Sequence, residues 1–548
     1  MHRVYNSAFM NMLKLEENEK YRATVRNVLE FSPEVIKRFV NFMNNPDERT
    51  AVEQFGKGDK YYGVAMLMAT MPGLPMFGHG QLEGFSEKYG MEYRRAYWDE
   101  QVDEHMISRH ETEIFPLMRK RHLFSGAEHF AFYDARTPGD AVDENVFAYS
   151  NRCGTERALI LYNNAYTTTQ CVIYASTPIN TGDADNKTLV TRTLAEALDL
   201  DTGETCYYAF RDYRTKLEFL RHAPRWTRDG FAFELQAYQY RAFLDFREIQ
   251  DTGGTWARLA ASIGDTGVPS LDEAYREMIL EPIHAPFRNV MNAEILCALA
   301  DHDDAKVRKQ LKDAMMEFLA AVTEKTAVAF DAMAIWQNIE SELDFLGTFE
   351  IRLKKLRCPK RITEYLLSPV ESSIEFWRTP LAYTLTHPLG TRQAASDYSI
   401  HATARMDEWM LAKIVAEAFG QLSGADENAA AHLDALLVKI LLAYPTLLDF
   451  RPRGGGGVFP IRRLFDDITV QRYLLMNRHD GVVWFNKEQI EKLMYWMLLE
   501  SVIVLGVGSR LTKSAVVSRY ENAMEILDAA QESGYKTETL IHILTEEK

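Results

Sequence analysis

The chain has 548 residues, of which 47% are hydrophobic and 26% are charged, a composition typical of folded proteins rather than disordered or fibrous ones. At roughly 100 to 200 residues per domain, this length predicts several domains. A formal net charge of -16 repels phosphate backbones and, without a basic face, excludes nucleic acid as an expected partner.

The first residues and the cysteines predict a cellular compartment. The chain starts without the basic and apolar segments of a secretory signal. The most apolar window, Tyr495 to Val507, contains Glu500 and is shorter than the roughly 20 residues that a membrane-spanning helix needs. The five cysteines are odd in number and lack metal-ligand spacing. We therefore expect a cytoplasmic protein with reduced thiols, no membrane association and no cofactor.

In residues 1–126, short apolar runs alternate with helical patterns, which predicts βα units. Proline in Asn44-Asn45-Pro46-Asp47 stops the preceding strand. The predicted elements are a helical segment over 7–31, a strand over Arg38 to Met43, a helix over Asp59 to Thr70, a strand over Leu74 to Phe77 and a long helix over Trp98 to His122.

Two further zones follow. From about Ala127 to Phe246, β-branched and aromatic runs are separated by polar turns, which predicts a sandwich of antiparallel strands. The strands are predicted over Val146 to Tyr149, Leu159 to Tyr162, Cys171 to Tyr174 and within Phe231 to Phe246. The remainder has helical periodicity, and its clearest segments are Asp304 to Glu324, Met406 to Leu422, Ala430 to Tyr444, Lys487 to Glu500 and Ser514 to Glu532.

The segment Arg38 to Glu48 is the most informative for function. A carboxylate directly after a barrel strand lies on the carboxyl-terminal rim, where such folds keep their active sites. Taken alone, Asn-Pro-Asp-Glu is more commonly a turn that caps the next segment than a catalytic segment, because these residues are frequent in loops. The choice between the two interpretations depends on the residues that follow.

Taken together, residues 1–84 resemble the last part of the α-amylase family (glycoside hydrolase family 13) barrel. Phe42, Asn45 and Asp47 match the family's Phe-x-x-Asn-His-Asp, with Pro46 in place of histidine. Met71-Pro72-Gly73-Leu74-Pro75 resembles the entry into the eighth strand. Gly80-Gln81-Leu82-Glu83-Gly84 resembles Gly-Asp-Glu-x-Gly at the end of that strand, with Leu82 in place of glutamate unless the alignment slides by one residue to Glu83.

The resemblance extends to about residue 250. Asn145 to Ser150 and Ala158 to Asn163 resemble two strands of the family's C-domain, and Leu235 to Leu244 resembles its closing strand. The expected fold is thus mixed: a partial (β/α) TIM-type barrel with the last three units over residues 1–125, an antiparallel β-sandwich C-domain over 126–250, and a large all-α region over 251–548.

The resemblance implies a retaining mechanism with a nucleophile and an acid/base carboxylate. Asp47 matches a third, helper carboxylate that holds sugar hydroxyls. The family's nucleophile and acid lie upstream of the Asp47 segment, and only 46 residues precede Asp47, whereas one βαβ unit takes about 30 or more. We therefore expect this chain alone to be inactive.

The resemblance also implies the site residues and partners. Asp47 is the expected catalytic residue, and Asn45 and Gln81 are expected substrate-binding residues. His79 is a third expected substrate-binding residue because of its place near the rim of the last strand, although a lone histidine is commonly a packed or solvated residue. An α-glucan or maltooligosaccharide is the expected substrate, and no metal is expected because the family's calcium ligands lie largely upstream. The alternatives are a non-catalytic α-glucan-binding or assembly protein and a helical interaction scaffold. The sequence leaves the oligomeric state open.

Overall fold

The computed structural model describes residues 3–88, 95–182, 186–301, 305–326, 328–367, 374–390, 398–423, 428–452, 458–508 and 510–545. The chain divides into two compact units, Met1–Met278 and Ile279–Lys548. All five cysteines lie in the described part of the chain and are free. Among the described residues, no helix is both long enough and apolar enough to cross a membrane.

The first unit begins with a three-stranded parallel sheet. Its strands are β1 (Val4–Tyr5), β2 (Phe39–Phe42) and β3 (Leu74–Met76), in the order β1-β2-β3. The connecting helices are α1 (Ser7–Lys14), α2 (Asn18–Phe31), α3 (Pro33–Ile36), α4 (Ala51–Phe55) and α5 (Asp59–Thr70). Asn6 caps α1 and Thr50 caps α4 through their side-chain oxygens, so each helix begins directly after a polar loop residue.

The helix predicted over Trp98 to His122 is wrong at its start and in its continuity. Trp98 lies in a loop, and α6 (Glu104–Arg109) begins only after Asp103, whose Oδ1 accepts a hydrogen bond from Met106 N at 3.2 Å. A π-helical turn follows at His110–Ile114, and then α7 (Phe115–Arg119) and α8 (Arg121–Phe124). Pro116, in the first turn of α7, has no N–H to donate, so a regular ladder cannot run through it.

An antiparallel sheet of six strands fills the middle of the first unit. Its strands, in spatial order, are Glu218–His222, Cys206–Asp212, Tyr240–Gln250, Glu156–Asn163, Val146–Cys153 and Ala131–Tyr133. Both faces are buried: Phe147 and Tyr149 pack with the helices of residues 1–125, and Ala148 and Leu161 pack on the opposite side. Burial on both faces explains why these strands are continuously apolar rather than alternating.

The remaining elements of the first unit complete this β-rich part. Its strands are β4 (Ala131–Tyr133), β5 (Val146–Cys153), β6 (Glu156–Asn163), β7 (Thr169–Ile173), β8 (Ile179–Asn180), β9 (Leu189–Val190), β10 (Cys206–Asp212), β11 (Glu218–His222), β12 (Phe231–Leu235) and β13 (Tyr240–Gln250). The helices are α9 (Leu194–Leu198), α10 (Arg225–Arg228), α11 (Thr255–Ile263) and the start of α12 (Leu271–Val290). Strands β7 and β12 pair with each other, as do β8 and β9.

The described residues of the second unit are mostly helical and share one large apolar core. Its helices after α12 are α13 (Ala293–Asp301), α14 (Ala305–Thr326), α15 (Ala332–Gly347), α16 (Phe349–Lys355), α17 (Lys360–Leu367), α18 (Ile374–Thr386), α19 (Tyr398–Glu408), α20 (Leu411–Ser423), α21 (Asn428–Ala443), α22 (Val458–Asp466), α23 (Ile468–Tyr473), α24 (Lys487–Val507), α25 (Lys513–Glu532) and α26 (Thr537–Thr545). A hairpin of β14 (Asn477–His479) and β15 (Val482–Trp484) interrupts them, with short 3₁₀ turns at His387–Gly390 and Leu447–Asp449.

Candidate functional site

The candidate site lies where β2 and β3 end. The two strands are parallel, with Val40 opposite Leu74 and Phe42 opposite Met76, so the segments that follow them leave the same edge of the sheet. Gly78 allows these segments to approach closely, because a Cβ there would lie 2.3 Å from the Asn44 side-chain oxygen. The sequence thus brings the Asn-Asn-Pro-Asp turn beside the loop that carries His79.

Buried amides fix the sheet beneath this edge. Asn41, in the centre of β2, is 2% exposed. Its Oδ1 accepts a hydrogen bond from Asn6 Nδ2 at 2.9 Å, and its Nδ2 donates to the Pro72 carbonyl at 3.3 Å. The Asn41 side chain in β2 therefore joins the residue that follows β1 to the segment that precedes β3.

Asn45 shapes the turn that presents Asp47. Its Oδ1 accepts hydrogen bonds from the backbone amides of Asp47 at 2.9 Å and Glu48 at 3.1 Å. This is the usual way in which asparagine stabilises a turn. Asp47 is exposed, and within the described part of the chain its carboxylate has no hydrogen-bond partner. Lys88 Nζ donates to the Asp47 backbone carbonyl at 2.9 Å.

Gln81 points into the protein rather than out of it. It is 1% exposed, and its Oε1 accepts a hydrogen bond from the Gly78 amide at 3.0 Å. Its Nε2 lies 3.4 Å from the Met43 sulfur. These contacts give Gln81 a structural role in joining the ends of β2 and β3.

A small cleft of about 30 Å³ opens at this edge. It is lined by Asn44, Asn45, Pro46, Glu48, Thr50, His79 and Lys88. The cleft therefore brings together two of the residues expected from the sequence, Asn45 and His79, whereas Asp47 and Gln81 are not in its lining. The Asn44 Oδ1 atom is buried and has no hydrogen-bond partner among the described residues. A hydroxyl group or a water molecule that donates to this oxygen would satisfy it.

Sequence reasoning missed Asn44, Glu48 and Lys88. Lys88 is 41 positions from Asp47, and no sequence spacing brings it there. Glu48 is half-buried in the cleft and is a second carboxylate directly beside Asp47. The adjacent acidic residues Asp47 and Glu48 in the sequence are a signal that could have identified Glu48 as a candidate site residue.

Two exposed aromatic side chains lie in the loop after β3. Tyr97 is 67% exposed and Trp98 is 60% exposed. Glu87, the residue before Lys88, holds this loop by accepting hydrogen bonds from the Tyr97 amide at 2.7 Å and the Trp98 amide at 3.0 Å. Exposed aromatic rings with an ordered backbone offer flat apolar faces to a ligand.

No known protein family matches this sequence, and no curated protein matches it. Solved structures of α-glucan-acting enzymes resemble part of the chain. They include an α-amylase from Geobacillus thermoleovorans complexed with acarbose (13% identity, 38% of this chain, 39% of that chain, TM-score 0.26). A cyclomaltodextrin glucanotransferase matches at 17% identity over 38% of this chain and 37% of that chain (TM-score 0.25). A Nostoc punctiforme debranching enzyme soaked with acarbose matches at 13% identity over 41% of this chain and 38% of that chain (TM-score 0.26).

These structural neighbours belong to the α-amylase family, and the chain spans about two fifths of their length. Likenesses with such scores do not establish a common fold over the whole chain.

Two buried polar rings, those of Tyr61 and His110, pack beside the loop that carries Gln81. The Tyr61 hydroxyl lies 2.8 Å from the Gln81 carbonyl and 3.1 Å from His110 Nε2. Burial raises the pKa of Tyr61 and lowers the pKa of His110, so both groups are neutral near pH 7. His110 Nδ1 lies 2.8 Å from the Met106 carbonyl, an acceptor, and therefore carries the ring proton.

Within the described residues, one group of side chains has the composition of a metal site. Potential ligand atoms of Asp201, Cys206 and Glu248 lie within 4.8 Å of one another. The two carboxylates are exposed, and the group lies in the β-rich part, on β10, β13 and a neighbouring loop. Exposed acidic groups are common without an ion, so we assign no metal to it.

Proposed function

We propose that this chain is part of a retaining α-glucan-acting glycosidase or transglycosylase of the α-amylase type. The observation that carries the proposal is the placement of Asn45, Asp47 and His79 after two adjacent parallel strands, with Asn45 and Asp47 at the positions of the family's Phe-x-x-Asn-His-Asp motif. On this proposal residues 1–125 are the last three units of the catalytic barrel, residues 126–250 are the C-domain and residues 251–548 are a helical region of unassigned role.

Asp47 supplies a negative charge next to the reacting sugar in this proposal. Glycoside cleavage passes through an oxocarbenium-like state in which positive charge develops on the ring. Hydrogen bonds from sugar hydroxyls to a carboxylate strengthen as that charge develops, which lowers the barrier rather than only the ground state. An exposed carboxylate that has no partner among the described residues is free to take this part.

The nucleophile and the acid/base carboxylate come from outside this sequence in the proposal. Two observations support a site that further residues, outside this sequence, complete. The cleft of about 30 Å³ is far smaller than the roughly 300–1,000 Å³ of ligand-binding pockets, so it cannot enclose a sugar ring. The residues of β1 are exposed, including Tyr5 at 59%, although strands of parallel sheets are as a rule covered on both faces.

The first prediction concerns turnover. The chain from Met1 to Lys548 should not cleave maltoheptaose above background, because Asp47 alone offers no covalent route. A longer protein that adds the upstream barrel strands in frame should cleave it. In that protein Asp47→Asn should lower kcat far more than it raises KM, as expected for a contact made mainly in the transition state. Steady-state kinetics with maltoheptaose measures both constants.

The matched control is Asp140→Asn, which removes an exposed carboxylate in the loop between β4 and β5. It should leave both kinetic constants unchanged. Cleavage by the present chain that survives Asp47→Asn would contradict the proposed active site. A longer protein in which the two variants have equal kcat would contradict the role of Asp47.

A non-catalytic glucan-binding protein is the second candidate, and the exposed rings of Tyr97 and Trp98 favour it. Aromatic rings bind the apolar faces of sugars without any catalytic carboxylate. Affinity electrophoresis in gels that contain amylopectin distinguishes the candidates. Retardation that Trp98→Ala abolishes, together with inactivity of the longer protein, would favour binding as the function.

A further inference from the structure

A second cleft lies on the β-rich part of the first unit, beside α8 and the turn between β5 and β6. Its volume is about 240 Å³. The side chains that matter for its chemistry are His122, His129, Asn151, Arg152 and Cys153. Its volume is below the roughly 300–1,000 Å³ of drug-sized ligand sites, so it can enclose a small molecule or one end of a larger one.

The cleft contains buried polar atoms that lack partners. Asn151 is 1% exposed, and its Oδ1 atom has no hydrogen-bond partner in the described part of the chain. The same holds for Nε of the neighbouring Arg152. A buried polar group without a partner is destabilising, so a ligand that supplies the partner gains affinity. The unpaired Asn151 oxygen matches the N–H donor of an amide.

Cys153 brings a nucleophile to the mouth of this cleft. It is exposed, whereas the other four cysteines are buried or half-buried. The Arg152 guanidinium, next in sequence, donates to His129 Nδ1 at 3.2 Å and pairs with Asp199 at 3.2 Å. Burial and the charge of Arg152 lower the pKa of His129, so its ring is neutral near pH 7 and acts as a hydrogen-bonding group. An exposed thiol is accessible to a disulfide in solution.

We propose that Cys153 is a modification site that forms a mixed disulfide with a small peptide-like thiol whose amide groups bind in this cleft. The co-reactant is the symmetric disulfide of that thiol. The Cys153 thiol loses its proton, and its Sγ attacks one sulfur of the disulfide. The disulfide bond of the co-reactant breaks while the new bond to Sγ forms. The departing thiolate takes up a proton, so no other oxidant is needed.

Oxidised glutathione, which carries amides, and 2-hydroxyethyl disulfide, which carries none, are the two probes. The rate of adduct formation at Cys153 is measured with each by mass spectrometry of proteolytic peptides, in the folded chain and in the chain unfolded in urea. The unfolded chain corrects for the intrinsic difference between the probes. We expect the preference for oxidised glutathione to be about tenfold greater in the folded chain, as expected if an amide N–H gains about 1.4 kcal/mol from the unpaired Asn151 oxygen.

Three variants complete the experiment. Cys153→Ser should abolish the fast adduct, and Cys297→Ser should leave it unchanged. Asn151→Leu, which removes the unpaired acceptor at similar volume, should reduce the preference for oxidised glutathione. Equal preferences in the folded and unfolded chains would overturn the proposal, and this comparison holds even if Asn151→Leu fails to fold. Fast adducts at another cysteine, retained in Cys153→Ser, would also overturn it.

Discussion

Glu500 is a carboxyl group in the core of the helical unit. It lies in α24, is 4% exposed and accepts a hydrogen bond from the Tyr383 hydroxyl at 2.8 Å. Burial raises the pKa of the Glu500 carboxyl well above its ordinary value, although the hydrogen bond from Tyr383 opposes this. The charges of Glu342 and Asp449 raise the pKa further, whereas that of Arg519 lowers it. Glu500 is therefore expected to be protonated in the folded unit over a pH range in which it ionises after unfolding.

The second prediction is that Glu500→Gln reduces the pH dependence of stability. A carboxyl whose folded pKa is raised contributes no penalty below its unfolded pKa, and stability is lost as pH rises above that value. Glutamine keeps the acceptor for Tyr383 and cannot ionise. The melting temperatures of variant and wild type should therefore converge at pH 4 and diverge at pH 8, where the variant should melt higher. Differential scanning calorimetry across this range measures the effect.

The control for Glu500 lies on the same helix. Glu491→Gln removes an exposed carboxylate that contacts Lys487 at 3.9 Å. It should leave the pH profile of the wild type unchanged, because exposed pairs contribute little. A profile of Glu500→Gln that parallels the wild type up to pH 8 would show that Glu500 is already ionised in the folded unit.

Arg22 is a buried cation that joins α2 to the β-rich part. It is 0% exposed, and its Nε donates to Glu144 Oε2 at 2.7 Å. Its terminal nitrogens bind Asp134 and the Val146 carbonyl, both at 2.5 Å. The third prediction is that Arg22→Met lowers the free energy of unfolding of the first unit by about 3 kcal/mol, because it leaves polar partners unpaired beside a buried apolar side chain.

Urea denaturation of the two arginine variants tests this. Arg26 contacts the same two carboxylates at 3.5–3.7 Å and is 27% exposed. Arg26→Met should cost less than about 1 kcal/mol, as is usual for solvated pairs. Equal losses of unfolding free energy in Arg22→Met and Arg26→Met would contradict a larger contribution from the buried guanidinium.

At the scale of the element, helix α5 packs tightly on strand β6. A Cβ on Gly63 would lie 2.1 Å from the ring of Tyr162, which is fully buried. The fourth prediction is that Gly63→Ala lowers the free energy of unfolding by about 1–3 kcal/mol. This loss would appear even though alanine favours a helix by about 1 kcal/mol over glycine.

Thermal denaturation of three further proteins tests the contact. Gly126→Ala adds a Cβ in open space and should change stability by less than about 1 kcal/mol. In a Tyr162→Val background Gly63→Ala should cost less, since the ring that it meets is gone. A cost that is the same in both backgrounds would mean that the ring is not the cause.

Helices and strands with strong periodicity were predicted from sequence alone. The helix predicted to extend from Asp59 through Thr70 is found, with Gly58 rather than Asp59 at its N-cap, and strands are found within Val146 to Tyr174. The segment Phe231 to Phe246 forms two strands, because Tyr238 adopts a positive φ of 53° between them. The helix predicted over Met406 to Leu422 is likewise two helices, separated at Met410 with φ 51°. A single residue with a positive φ is hard to predict from sequence unless it is glycine or asparagine.

The helix predicted over Asp304 to Glu324 is also found, with a different end. The structure has a helix over Ala305–Thr326, whereas Asp304 itself lies outside the described residues. Periodicity defines the middle of a helix more sharply than its ends.

The candidate site was predictable only in part. Asn45 and His79 follow two strands that the sequence indicated, and parallel pairing brings both to one cleft. The inward direction of Gln81 depends on a hydrogen bond to the Gly78 amide, and the contribution of Lys88 depends on a loop that returns over the edge. Such contacts depend on three-dimensional packing that periodicity does not encode.

At the scale of the whole molecule, the chain has separate cores. In the first unit the buried residues form clusters within residues 9–271, and in the second they form one cluster from Ile283 to Leu544. Separate cores are the physical basis for independent folding of domains.

The boundary between the two units falls within the sequence of helix α12. Its early residues Leu271, Tyr275 and Met278 pack in a small cluster with β10 and β11, whereas Ile283 and Phe287 belong to the core of the second unit. Along this helix, the apolar residues before about residue 279 belong to a core of the first unit, and those after it belong to the core of the second unit.

The fifth prediction is that fragments 1–278 and 279–548 each fold. Calorimetry of each fragment should show one cooperative transition, and the full chain should show two, because each core can melt by itself. A fragment ending at residue 250 should melt at a lower temperature than 1–278, because it lacks Leu259 and Leu271, which are buried against Leu220 and Ala209 in the same cluster. Each buried leucine contributes roughly 1.5–3 kcal/mol, enough to displace the transition by several degrees. An unfolded 279–548 fragment, or a single transition of the full chain above those of both fragments, would show that the cores depend on each other.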